Sequence, residues 1–546
     1  MKIDTIFYNG TIFTGETEEF TEAVAVSGKY IAETGSAERL LKLAHNETKL
    51  MDLKGKMMLP GFIDSHAHPL LSGVEVLYKV DLNGCQSAEE YVMEIRHFWE
   101  KHPELEFIMG VGWTNPCFDS HGPVKELLDE ITKEIPMAFD SSDHHSIWAN
   151  SKAIELAGIT AQTPDPEGGV IERRENGEPS GTFREAAQDL IRPICPEFTV
   201  EQYKKGLAAY QTQMANYGIT MAHDAMLPGG KPPHQALLEM DRDGQLLFKM
   251  NASFETFASG EHDWKAYAAY AKQSQGSMFT ANRVKFFIDG VVEGGTACLK
   301  EEYANKPGFF GTCIWDKEEL ETFAFALDKA GLELHFHVIG DRAVDIMLET
   351  LEKVRSFNGE RARRPIAAHV QVLDKGDLTR LKRENVHISA NPFWFVKAPG
   401  YFEIEESCLG KERAAAEYPM KSLFDAGLTV GAASDYSATP VPRPLEGIQT
   451  AVTRAFPESK EDEEKILGKQ ERISLKQALL AFTVNNARLA GMEAHTGSIR
   501  KGKLADLVIL QHSLFDIAPY DISKTKVVMT ISEGKVIYPL KGISHE

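Results

Sequence analysis

The chain lacks any uninterrupted apolar run approaching the about 20 residues that a helix needs to span a bilayer. That excludes a helical membrane protein. Its opening, MKIDTIFYNGTIF, alternates polar and apolar residues like a strand, with no basic stretch followed by an apolar one, so no secretory signal is expected. Positive charge is also in deficit. Fifty-nine Lys and Arg stand against 80 Asp and Glu, a net charge of -21, which argues against nucleic acid or an anionic membrane surface as partner. Cysteine is sparse and unpatterned. Cys85, Cys117, Cys195, Cys298, Cys313 and Cys408 include no C-x-x-C pair, and they read as reduced thiols in a cytoplasmic protein.

What is present is a chain of 546 residues, 43% hydrophobic, long enough for one large core and an accessory domain. Both ends have a β texture. Runs such as TIFYNGTIFTG and EAVAVSGKYIAETGS open the chain, and GSIRKGKLADLVILQ and TKVVMTISEGKVIYPL close it, all punctuated by glycine turns. Neither end can bury a core alone, so residues 1–60 and 490–546 are expected to combine as one small β-sandwich. Between them, over residues 61–489, apolar strands alternate with helical stretches. The strands MMLPGFIDSHAH, ITMAHDA, LLFKMNASF, RVKFFIDG, LELHFHVIGD, PIAAHVQ, VHISANPF and LTVGAASD make eight, which predicts an α/β (β/α)8 TIM barrel. A long interval at about 70–216 breaks the rhythm and reads as a large insertion after the first strand, expected to cover the catalytic face.

In such barrels the chemistry sits at the carboxyl ends of the strands. The first strand ends in His66 and His68, which share a strand face because they are two residues apart. The fourth carries Lys285 among apolar neighbours, the fifth His335 and His337, the sixth His369, and the eighth ends in Ser434 and Asp435. Taken singly, each has an ordinary explanation: a hydrogen-bonded core histidine, a snorkelling lysine, a turn-forming aspartate. Taken together they do not. Buried ionisable groups are costly unless paired or bound to metal, and histidines converging with a carboxylate are the donor set of a zinc-type hydrolytic site.

In this order along the chain, the motifs GFIDSHAH, VKFFIDG, HVIGDRA, AHVQ and SDY resemble the amidohydrolase superfamily. Within it, GVGW, DHHSIWANSKAIELAGI and NNARLAGM followed by GSIRKGKLADLVIL resemble amidohydrolase family 3, the YtcJ-like group that includes N-substituted formamide deformylase. The resemblance covers nearly the whole chain. It implies that His66, His68, His337, His369 and Asp435 are metal ligands, with Lys285, as a carboxylated lysine, bridging two ions. The cofactor implied is a divalent metal, zinc above others, one or two per chain. His335 shares a strand face with His337 and is expected to pack rather than ligate. His145 is the first candidate for a substrate contact, its neighbour His144 is read as structural, and Trp113 is a further candidate for the pocket lining.

The reaction expected is hydrolysis of a non-peptide carbon–nitrogen bond in an amide, N-formyl or N-acyl amine. Metal lowers the pKa of its water from about 15.7 to about 7, which makes hydroxide available at neutral pH, with Asp435 as general base and then acid. A cyclic amidase of hydantoinase or dihydropyrimidinase type would use much the same ligands. A deaminase is disfavoured, because His337 is followed by Val338, Ile339, Gly340 and Asp341 with no Glu. A non-catalytic metal-binding regulatory protein need not have kept so full a ligand set. The partner expected is a small-molecule substrate, with no nucleic acid or membrane, and a homodimer is left open.

Overall fold

The computed structural model describes residues 2–17, 19–114, 117–118, 121–142, 146–166, 168–456 and 462–539. The chain divides into two compact units, residues 1–69 with 208–546, and residues 70–207. The helix Val200–Asn216 runs on from the second unit towards the next barrel strand. No helix among the described residues is long and apolar enough to cross a membrane.

The larger unit holds an eight-stranded parallel barrel. In chain order its strands are Phe62–Ala67, Ile219–Leu227, Lys249–Thr256, Phe279–Phe287, Glu333–Val338, Ile366–His369, His387–Ala390 and Val430–Ala432. They are rich in β-branched and aromatic residues, and the first, sixth, seventh and eighth are buried throughout, as parallel strands covered on both faces must be. Helices between them are capped locally: Asp316 accepts from the backbone N–H groups of Glu318 and Glu319 at the start of Lys317–Lys329.

The first and eighth strands meet through side chains. Asn486 Nδ2 donates to Ile63 O (2.5 Å) and Ala432 O (2.6 Å), while its Oδ1 accepts from Ala432 N (3.0 Å). The amide therefore supplies the ladder bonds across the seam. It can do so because residue 431 is glycine: a Cβ there would lie 2.1 Å from Asn486 Oδ1.

The two chain ends build a single eight-stranded sheet, in which Met57–Pro60 pairs antiparallel with Leu507–Leu510. Alternation sorts its residues: Val24 and Val26 join Phe7, Met58, Leu507 and Ile531 in one core, while Ala23 and Ala25 join Ile6 and Leu40 in the other. The inserted unit has its own six-stranded sheet and two cores. Trp113 lies fully buried in one of them, its Nε1 donating to Phe139 O (2.8 Å). There the ring packs within its own sheet.

One correction concerns the cysteines. Cys298 and Cys313 form a disulfide, with Cα atoms 5.4 Å apart, whereas Cys85, Cys117, Cys195 and Cys408 are free. The pairing escapes sequence reading because a separation of 15 residues matches no motif; the loop after the fourth strand brings the two together. The cytoplasmic reading, which leaned on six reduced thiols, loses that support.

Candidate metal centre

The barrel strands deliver their polar residues in layers. Arg283 and Lys285 lie two apart on the fourth strand, and Lys285 is in register with His335 on the fifth and Glu255 on the third. Above this layer, His66, His68, His337, His369 and Asp435 gather. His66 Nε2 lies 3.4 Å from Lys285 Nζ and 3.5 Å from Asp435 Oδ1. His68 Nε2 is 2.9 Å from the same Asp435 oxygen. The ring of His369 is centred 5.0 Å from that of His66 and 4.7 Å from that of His337. One ligand atom each from His66, His369 and Asp435 falls within a common 4.8 Å.

The backbone is bent to achieve this. His369, Val370 and Asp435 all have left-handed φ, at 76°, 48° and 55°, without being glycine. Each such residue costs of order 1–3 kcal/mol and persists where surrounding bonds over-determine it. Here Asp435 N donates to His66 O (2.8 Å) and Val370 N to Val338 O (2.9 Å).

Outer residues decide which nitrogen each ring presents. Asn391 Oδ1 accepts from His369 Nδ1 (2.9 Å), and Asp289 Oδ1 from His337 Nδ1 (3.2 Å), so in each ring Nε2 is left bare. Asp289 is itself fixed by three backbone donors: Ile339 N (3.0 Å) to Oδ1, and Gly340 N (2.8 Å) and Cys298 N (3.0 Å) to Oδ2. Asp64, at the first strand, accepts from the Ser434 hydroxyl (2.5 Å) and the Ser434 N–H (3.0 Å), tying the eighth strand's end to the first.

Electrostatics follow from depth. Burial, helped by the charge of Lys285, holds His66 well below the usual imidazole range, and burial with His337 beside it brings His369 to about 3. Both are neutral, as metal ligation requires. Burial lowers Lys285 to about 7 against the opposing pull of Asp435. Asp435 goes the other way: burial raises it, but the hydrogen bond and charge of His68, with His369 and Lys285, outweigh burial and hold it below the ordinary carboxylate range. At neutral pH the cluster thus joins neutral rings at His66 and His369, a carboxylate, an amine half-way to neutral, and a His68 ring that burial lowers but the hydrogen bond and charge of Asp435 raise overall. This donor set fits a divalent cation of the zinc type, which accepts nitrogen and oxygen ligands together.

Sequence reading missed several groups here. Asp289 was visible in VKFFIDG without a role. Asp224 and Glu255 lie towards the carboxyl ends of the second and third strands, where each strand offered a single acid rather than a pair. Burial, with the charge of Asp224, raises Glu255 to about 7. His145 and His144 lie outside the described residues.

Fold and site together define a metal-dependent hydrolase of the barrel type. Comparison with known proteins narrows this further. The family model described as "Amidohydrolase family" (Amidohydro_3) matches residues 49–538, and the chain belongs to that family. Protein LONG AFTER FAR-RED 3 of Arabidopsis thaliana is 32% identical over 98% of this chain and 92% of its own. N-substituted formamide deformylase of Arthrobacter pascens is 26% identical, covering 99% of both chains. Among solved structures, an uncharacterized metal-dependent hydrolase from Pyrococcus furiosus superposes with a TM-score of 0.76 at 25% identity, over 94% of this chain and 99% of that one.

Proposed function

We propose that the protein hydrolyses a non-peptide carbon–nitrogen bond in an amide, N-formyl or N-acyl amine, using zinc held by His66, His68, His337, His369 and Asp435, with Lys285 carboxylated as a bridge. The observation that carries this reading is the convergence of His66, His369 and Asp435 ligand atoms within 4.8 Å, beside a buried Lys285 Nζ. The likeness to a formamide deformylase over its whole length supports the bond type.

Bound there, a divalent cation supplies Lewis acidity and lowers the pKa of water to about 7. The chain's own residues do the rest. Asp435 is ionised at neutral pH, so it can take a proton from the attacking water at Oδ1 or Oδ2. Once protonated, it can return the proton to the departing nitrogen. His68 Nε2 and Asp435 Oδ1 lie 2.9 Å apart, so both would face the same bound cation. Asp224 adds negative charge beside His68, and Glu255, raised by burial to about 7, adds part of one. That charge disfavours substrates carrying a carboxylate and favours neutral or amine-bearing amides.

The test is a screen of zinc-loaded protein across N-formyl amines, N-acyl amines, hydantoins and N-acyl amino acids, with amine release as readout for the acyclic substrates and ring opening for the hydantoins. Turnover of the first two classes, and little of the last, is expected. Zinc-replete protein that releases no amine from any of them overturns the reading. So does full zinc occupancy in His66→Ala and His68→Ala, since a catalytic site shares its metal among only about three protein ligands.

A further inference from the structure

Below the centre, a run of buried polar side chains crosses the barrel interior from the third strand to the fifth: Asn251, His223, Ser253 and His335. Their proton positions follow one from another. Asn251 Nδ2 donates to Thr280 O (3.1 Å) and Thr280 Oγ1 (2.8 Å), and a carbonyl only accepts, so Oδ1 is the amide atom that faces His223. His223 Nδ1 therefore carries a proton and donates it to Asn251 Oδ1 (2.7 Å). His223 is neutral, lowered by burial to about 3, so its Nε2 has only a lone pair to offer. The Ser253 hydroxyl must give that nitrogen its single proton (2.9 Å). Ser253 Oγ is then left as acceptor for His335 Nδ1 (2.9 Å). His335 thus has its proton on Nδ1, and in that tautomer its Nε2 is bare.

That Nε2 is buried and has no hydrogen-bond partner. A buried, unpaired acceptor costs about 1–3 kcal/mol. A second orphan lies beside it. His66 directs Nε2 towards Lys285 and Asp435, and its Nδ1, also buried, has no partner either. The two rings are centred 5.3 Å apart and nearly perpendicular, at 86°. One orphan is an acceptor by the logic of the chain. The other is a donor as soon as His66 commits Nε2 to a cation.

We infer that His335 is the positioning residue of the first-strand ligand: its bare Nε2 accepts the Nδ1 proton of His66, so that the Asn251–His223–Ser253–His335 chain holds His66 in the one tautomer that binds metal. This rests on the reading of His66 as a ligand. It also gives His335 a purpose that neither packing nor ligation supplies.

The experiment measures zinc affinity by chelator competition, and the His66 tautomer by nitrogen NMR of histidine-labelled zinc protein, in the parent and three variants. His335→Phe keeps a ring of similar size without the lone pair; it should lose about 10- to 100-fold in affinity, the usual cost of removing an outer-shell partner, and let His66 sample both tautomers. His335→Gln, whose side-chain carbonyl accepts, should stay within about threefold of the parent. Ser253→Ala leaves His335 in place but frees its proton, and should weaken binding in the same direction as His335→Phe; it carries the test if that variant does not fold. Parent affinity and a single His66 tautomer in both His335→Phe and Ser253→Ala would overturn the inference. A metal-bound Nε2 on His335 itself, read from its nitrogen shifts in the zinc-loaded parent, would also overturn it by making His335 a ligand. A parent that binds no zinc would instead sink the metal reading itself, and the two failures are therefore distinct.

Discussion

Asp289→Asn is the substitution in which one atom's change should travel furthest. The side chain is wholly buried and accepts four hydrogen bonds, two on each oxygen: from His337 Nδ1 and Ile339 N on Oδ1, and from Gly340 N and Cys298 N on Oδ2. Asparagine keeps one oxygen and turns the other into an NH2, which has nothing to accept with. If it retains the His337 side, the N–H groups of Gly340 and Cys298 both face a donor. Hydrogen bonds to a charged group are worth about 1.5–3 kcal/mol each, so losing two weakens this turn locally by about 3–6 kcal/mol. The amides concerned should then exchange with deuterium at least about 100-fold faster, since about 1.4 kcal/mol corresponds to each factor of ten. Hydrogen–deuterium exchange read by mass spectrometry on peptides spanning residues 298 and 337–340 measures this, with the distant sheet of the chain ends as internal control. His337 loses a charged acceptor in either amide orientation, so zinc affinity should fall about 10- to 100-fold as well. Unchanged exchange at these peptides, together with parent zinc affinity, would refute the reasoning.

Other substitutions probe other links of the chain from sequence to chemistry. Asp435→Asn keeps an oxygen donor but cannot take a proton at neutral pH, so turnover should fall by about 100-fold or more with a smaller change in zinc content; a loss within about tenfold would deny it the acid–base role. If Lys285 is a carbamate bridge, Lys285→Ala should hold less than the parent's zinc and regain activity with a short-chain carboxylate. A parent with one zinc per chain and no such rescue argues against the bridge. Because only the neutral amine reacts with carbon dioxide, carboxylation of the metal-free protein should increase as pH rises through about 7, the value burial gives Lys285; mass spectrometry of trapped carbamate across that range checks it. Asn486→Leu removes all three seam bonds of the barrel and should cost several kcal/mol, about 1–3 for each buried backbone group left unpaired, seen as a lower unfolding midpoint. His234, brought by burial to about 4 from 6.5, is protonated more readily in the unfolded chain. Its contribution to stability is therefore complete above pH 6.5 and is lost as pH falls to 4, by about 3 kcal/mol at about 1.4 per unit. His234→Gln should flatten that part of the stability profile, and an unaltered slope would count against the assignment.

The barrel was legible because its strands are short apolar runs ending in polar residues, and periodicity reports that directly. The candidate ligands stood out for the same reason: His66, His68, Lys285, His337, His369 and Asp435 each stand at or near a strand's carboxyl end, where an ionisable group needs an explanation. The residues that orient them were not. Asp289, Asn391 and Ser253 are ordinary polar residues, and their role exists only as a distance to a ring that the sequence places 22 to 82 positions away. The packing of Trp113 was equally invisible: in the sequence it is an aromatic in a glycine-rich motif, and only the fold shows its indole N–H donating to a carbonyl of its own sheet. The Cys298–Cys313 pair was hidden in the same way, since its proximity is a property of a loop's path and not of spacing.

The outer residues matter because of what the inner ones lack. Two of the rings that face the centre have their protons drawn to the far side, His369 by Asn391 and His337 by Asp289. Burial meanwhile keeps His66 and His369 from taking a second proton that would fill the near side. Lone pairs pointing at one another across a few ångströms repel and cannot hydrogen-bond among themselves. A cluster built this way is stable only while something positive sits between the rings. In the structure the Lys285 ammonium partly serves, 3.4 Å from His66 Nε2, but burial has already brought it half-way to neutrality at pH 7. The arrangement is therefore poorly matched to its own protons and well matched to a divalent ion, which accepts several lone pairs at once and needs none of them protonated. Removing the ion should raise the affinity of the centre for protons, so apo protein should bind about one more proton than holo protein between the two forms' titrations near neutrality. Proton release on adding zinc, measured in a weakly buffered solution, is the direct reading of that mismatch; zinc binding with no proton released would mean that the cluster was already balanced without it.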